Sequence, residues 1–311
     1  MSNSDGFLPA LLGVIAAGLL ALVGNAVWVD PFRVFGEGRG HHLCPSGWLA
    51  GVERVQKPLI LAFRRPEVAL IGSSKVMQGF DERDAAVVFR GARVANLGMA
   101  AADMRVVLDM AGRALRTPSM RQLWIGLDFG MLAPQDAAPA LATADGTSRW
   151  ERLRRGVLSA EALKAAVSMR IGDCDVPRLS GWGFNVGRVD RRGDGVAVRR
   201  QVLATLAPLK EPGRRVQAEA AALGGLRALA GAAQRRGVRL VLFHSPVSAD
   251  YRRLLEAEGL VAAERSWRRQ VAGLPGVTLV EVRPQAFYDL THYRPEVGRT
   301  ILMTGQAIMS R

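Results

Sequence analysis

Val68-Ala69-Leu70-Ile71-Gly72-Ser73-Ser74-Lys75 is a short apolar run that stops at a glycine and two serines. Four apolar residues in a row, bounded by turn formers, read as a strand buried on both faces, which is a property of parallel sheets. The pattern recurs. Arg93-Val94-Ala95-Asn96-Leu97-Gly98 is a second strand-to-loop step and Gln122-Leu123-Trp124-Ile125-Gly126-Leu127-Asp128 a third. Val238-Arg239-Leu240-Val241-Leu242-Phe243 is a fourth strand, and 277–282 a fifth. Between them, 84–88, 101–115, 214–236 and 250–269 carry helical spacing. Strands alternating with helices predict an α/β fold with a doubly wound, mainly five-stranded parallel sheet. Sites in such sheets form beyond the C-terminal strand ends. The polar residues at those ends are Ser73, Ser74, Asn96, Asp128, His244, Asp289 and His292.

The 311 residues carry a formal net charge of +14, with arginine dominant. Such a surface favours anionic partners such as acidic glycans, lipid headgroups or nucleic acid, or it is simply a solvated face. No aromatic-basic stripe or zinc-finger spacing is present, so nucleic acid is not expected. Strand ends lack both Gly-x-Gly-x-x-Gly and the P-loop pattern, so no nucleotide and no other cofactor is expected. The two cysteines, Cys44 and Cys174, form no CxxC pair. They fit one disulfide or two buried thiols equally. His41 and His42 are adjacent but have no obvious third ligand nearby, so no metal site is expected.

From residue 7 to residue 29 the chain is free of charge. At about 1.5 Å per residue this stretch crosses a hydrocarbon core of about 30 Å. Trp28 stands where an interfacial aromatic would. A cleavable signal peptide is the rival, but the basic n-region is missing and Gly24-Asn25-Ala26 is a poor cleavage site. The expected organisation is a transmembrane anchor over 1–30, a connector over 31–65, and an α/β domain over 66–311 with a loop-rich insert at about 133–212. Arg33, Arg39, Arg54, Lys57, Arg64 and Arg65 follow the anchor, and the positive-inside rule alone would keep the domain cytoplasmic. Long domains translocate largely regardless of charge, so orientation stays open at this point.

Asp289-Leu290-Thr291-His292 offers the chemistry. A carboxylate three residues before a histidine can orient and polarise the imidazole as a general base. Ser73-Ser74, at the end of another strand, offers a matching nucleophile. Each has a plainer reading: a serine after a strand often caps a helix, and an Asp-x-x-His pair can be a local cap. His244 reads as a rim or structural residue, and Gly79 and Gly98 as turn residues.

Taken in order, these blocks resemble the SGNH (GDSL-type) hydrolase superfamily, and most strongly its membrane-anchored members linked to acylation of cell-surface polysaccharides. Gly72-Ser73-Ser74 stands where the family has Gly-Asp-Ser. Asn96-Leu97-Gly98 resembles the second block, Gly126-Leu127-Asp128 the third, Gly-x-Asn, and Asp289-x-x-His292 the last. The likeness covers roughly residues 66–300. It implies an SGNH/flavodoxin-like fold and a Ser74–His292–Asp289 triad. Ser74, Gly98 and the residue at Asp128 would form the oxyanion hole. It further implies an esterase or O-acetyltransferase acting on a polysaccharide or acylated glycan at the inner membrane, with the domain periplasmic and a membrane acyl-donor protein as a further partner. The alternative is a non-catalytic scaffold that binds polysaccharide or an assembly partner. Two departures stand out. Asp128 replaces an asparagine, and an ionised carboxylate cannot donate to an oxyanion. Ser73 replaces an aspartate.

Overall fold

The computed structural model describes residues 4–31, 52–134, 157–171, 179–185, 195–282 and 286–310. His41, His42, Cys44 and Cys174 lie outside them. Five strands form one sheet: β1 (Val68–Ile71), β2 (Val94–Asn96), β3 (Gln122–Leu127), β4 (Arg239–His244) and β5 (Thr278–Val280). Every pairing is parallel and the order is β2-β1-β3-β4-β5. The chain steps from β1 outward to β2, then returns past β1 to build β3, β4 and β5. The strand order therefore reverses between β1 and β3, where the connections leave in opposite directions and open a crevice at the C-terminal ends.

The sheet is apolar on both faces because its strands alternate between two cores. Ala69, Ile71, Leu123, Ile125, Leu240 and Leu242 join one; Val68, Leu70, Trp124, Val241 and Phe243 join the other. The first core is closed by α2 (Val52–Arg64), α5 (Met104–Arg116), α8 (Pro212–Arg235), α9 (Ala249–Ala257) and α10 (Val261–Ala272). The second is closed by α4 (Glu82–Val88) and α11 (Pro295–Met309). Helix α2 falls inside the expected connector. The helix expected over 250–269 is two helices, since Gly259 takes φ +68° and turns the chain between α9 and α10.

Within 133–212 the described residues include two helices, α6 (Ala160–Arg170) and α7 (Gly195–Leu206). The N-terminal helix α1 spans Ser4–Val29, and its segment Phe7–Val29 is long and apolar enough to cross a membrane. The short helix α3 (Ser74–Gly79) leaves β1 directly and brings the candidate site together.

Candidate functional site

Helix α3 begins at the crevice because Ser73 caps it. The Ser73 hydroxyl accepts the Lys75 amide at 3.3 Å, so the capping role falls to Ser73 and Ser74 becomes the first helical residue. Ser74 is also the one residue of α3 that is not buried.

The histidine arrives from the far end of the chain. Asp289 organises its own loop: Oδ1 accepts the amides of Thr291 at 2.7 Å and His292 at 2.9 Å. Its other oxygen, Oδ2, accepts the His292 Nδ1–H at 2.8 Å. A carboxylate only accepts, so the proton sits on Nδ1 and Nε2 is left free to accept. Ser74 Oγ–H donates to that Nε2 at 2.9 Å. Burial alone would raise the Asp289 pKa, but the bonds from His292 and the two amides outweigh it and hold the carboxyl well below its ordinary value. The Asp–His pair thus caps its loop and orients the imidazole at once.

Glycines let the two halves meet. A Cβ on Gly298, in the first turn of α11, would lie 1.8 Å from the Gly79 carbonyl oxygen at the end of α3. A Cβ on Gly79 would lie 2.0 Å from the ring of Tyr293. Tyr293, next to His292, is fully buried and packs edge-on against Phe80. Helix α11 therefore docks on α3 backbone to backbone, and the docking fixes His292 over Ser74. Gly79 is a contact residue at the helix end rather than a turn.

Asp128 is turned to another use. Its Oδ1 pairs with Lys75 Nζ at 2.9 Å, and its Oδ2 accepts the Ser73 hydroxyl. Lys75 is buried and stands 5.0 Å from the centre of the Tyr251 ring. Burial pulls the Lys75 pKa down, but the charge of Asp128, the nearby Tyr251 and the hydrogen bond to Asp128 together outweigh it, and the net shift is upward. His244, at the end of β4, goes the other way: burial and the charge of Arg268 lower it to about 3 against the pull of Asp128, so it is a neutral neighbour of this pair. Tyr251 is raised by burial.

Gly98 lies beside this group but its amide is engaged. The N–H donates to Asn96 Oδ1 at 3.0 Å. A Cβ at Gly98 would lie 2.6 Å from the Met77 amide nitrogen, so its closeness to α3 accounts for the glycine. Helix α2 grips the same loop: Lys57 Nζ donates to the Gly98 carbonyl and Arg54 to the Ala100 carbonyl at 3.1 Å. Lys57 is fully buried, and burial lowers its pKa to about 7 although Glu53 opposes the shift.

A pocket of about 770 Å³, counted to its open mouth, gathers Ser74, His292, Lys75, Asp128 and Tyr251. Ala101 and Ala102 form one wall, and α7 another through Val198, Gln201, Val202 and Thr205. Among the described residues no three His, Cys, Asp or Glu side chains gather as metal ligands would.

Ser74, His292, Asp289, Ser73 and Asp128 thus come together, while the Gly98 amide faces Asn96. Sequence reasoning missed Lys75, Tyr251, Lys57 and the α7 wall. Only Lys75 had a visible signal, its place directly after the two serines. No protein-family model matches the chain, and no curated protein matches it.

Proposed function

We propose that the chain is a membrane-anchored acyl-transfer protein of SGNH type, with a doubly wound domain and Ser74 as nucleophile. The observation that carries the reading is the unbroken relay from Ser74 Oγ to His292 Nε2, at 2.9 Å, and from Nδ1 to Asp289, at 2.8 Å. Ser74 attacks an ester carbonyl while His292 takes its proton and Asp289 stabilises the imidazolium. The tetrahedral oxyanion then collapses, the ester C–O bond breaks, and His292 returns the proton to the leaving alkoxide. Water or a sugar hydroxyl, deprotonated by the same imidazole, then attacks the acyl carbon, the bond to Ser74 Oγ breaks, and His292 returns the proton to the serine. The first outcome is an esterase and the second an O-acetyltransferase.

The Ser74 amide, at the first helical position, has no intrahelical partner and is available to the oxyanion. The substrate class, a polysaccharide or acylated glycan, rests on the resemblance and on the net positive charge of +14. The apolar α1 supports a membrane location, and the resemblance alone puts the domain on the periplasmic side of the inner membrane. Nucleic acid has no role in this reading.

A second reading is favoured by a specific observation. Asp128 replaces a donor and the Gly98 amide is engaged, which leaves the oxyanion poorly served. On that reading the domain is a non-catalytic scaffold that binds the glycan or an assembly partner. A fluorophosphonate probe separates the two. Labelling is expected in the wild type and in Ser73→Ala, and lost in Ser74→Ala and His292→Ala. A wild type that retains glycan binding yet takes up no probe supports the scaffold.

A further inference from the structure

Helix α6 belongs to the insert, yet what it covers is the end of α1. Val157, Ala166 and Met169 bury Ala26 and Val29, which are 0% and 1% exposed. The Arg170 guanidinium lies 4.7 Å above the Trp28 ring. The opposite side of α6 carries Lys164, Val167 and Ile171 at spacings of three and four residues, all exposed, with Ile171 at 72%. Residues so spaced share one stripe of a helix. Exposed Val and Ile beside a cation make an unfavourable aqueous surface and a favourable interfacial one.

Depth fixes the partner. Ala26 and Val29 are the last turn of the apolar segment Phe7–Val29. At about 1.5 Å per residue, whatever packs on them lies within about 5 Å of the hydrocarbon boundary when α1 spans a bilayer. A helix held at that depth has lipid on its free side. Trp28 is the residue type that settles at headgroup level, and the Lys164 and Arg170 stems let their charges reach phosphates.

We propose that α6 is a second membrane contact, its Lys164–Val167–Ile171 stripe seated among anionic phospholipid headgroups of the bilayer that α1 crosses. The proposal rests on the reading of α1 as a span.

The test uses the full chain in phosphatidylcholine–phosphatidylglycerol vesicles, with p-benzoylphenylalanine placed singly at Leu20, Val87 or Ile171. All three positions are exposed. After irradiation, intact mass reads the lipid adduct. Adducts are expected at 20 and 171 and none at 87, on the outer side of α4. Lys164→Gln is expected to reduce the 171 adduct by about fivefold, the loss of one cation near an anionic surface. An adduct at 20 without one at 171 overturns the proposal while sparing the span. No adduct at 20 overturns the span and the proposal together. Equal adducts at 87 and 171 mark chance collision and overturn it as well.

Discussion

Asp128 and Ser73 are the two positions where the chain leaves the pattern it resembles, and they touch each other. The carboxylate that the pattern carries in its first block stands here across the same contact, in the third. Lys75 answers it with a buried ammonium. Removing one partner of such a pair strands a charge. Asp128→Asn is therefore expected to destabilise the fold by about 3–5 kcal/mol. Adding Lys75→Met should recover most of that loss in denaturant unfolding. An Asp128→Asn protein as stable as the wild type would show that the pair holds nothing. Ser74 was legible because it follows β1 after two residues, and Asp289 and His292 because their spacing is itself a short local signature, although they lie in the loop between β5 and α11. The meaning of Asp128 was not legible, because it depends on Lys75, 53 residues earlier in sequence but adjacent in space.

At the scale of elements, two helices set the site without supplying its reactive atoms. The strands were readable from their apolar runs, but α2 was not, because its inward face carries Glu53, Arg54, Gln56 and Lys57. A polar run reads as a connector until the loop it grips is known. Lys57 has a folded pKa of about 7 against an ordinary 10.5. Between these values the unfolded chain binds more protons, so this group makes stability lowest below pH 7 and lets it rise toward pH 10.5. That rise is expected in the wild type and should flatten in Lys57→Met. Parallel profiles would remove the lysine from the account. The second helix is α11. Gly298→Ala must push it away from α3, since the added carbon meets a carbonyl oxygen. A shift of about 1 Å between Ser74 and His292 is expected to slow fluorophosphonate labelling by about 100-fold. Unchanged labelling with unchanged thermal stability would mean that the docking is looser than the contact implies.

For the whole molecule, with α1 read as a span, the question is which side of the membrane the domain occupies. Six basic residues after α1 argue for the cytoplasm, and the proposed glycan chemistry argues for the periplasm. Protease added to intact spheroplasts is expected to digest the α/β domain and leave the anchor; protection of the domain would reverse the topology and remove surface glycans as substrate. The sheet order could be anticipated only as a class, because strand neighbours follow from long-range crossovers rather than local pattern. The long-range character has one more effect. Ser74 and His292 are 218 residues apart, and only the docked α11 joins them. A chain still emerging from the ribosome therefore carries its serine without its imidazole. On the proposed chemistry the hydroxyl therefore stays inert throughout synthesis and gains its base only when α11 closes onto α3.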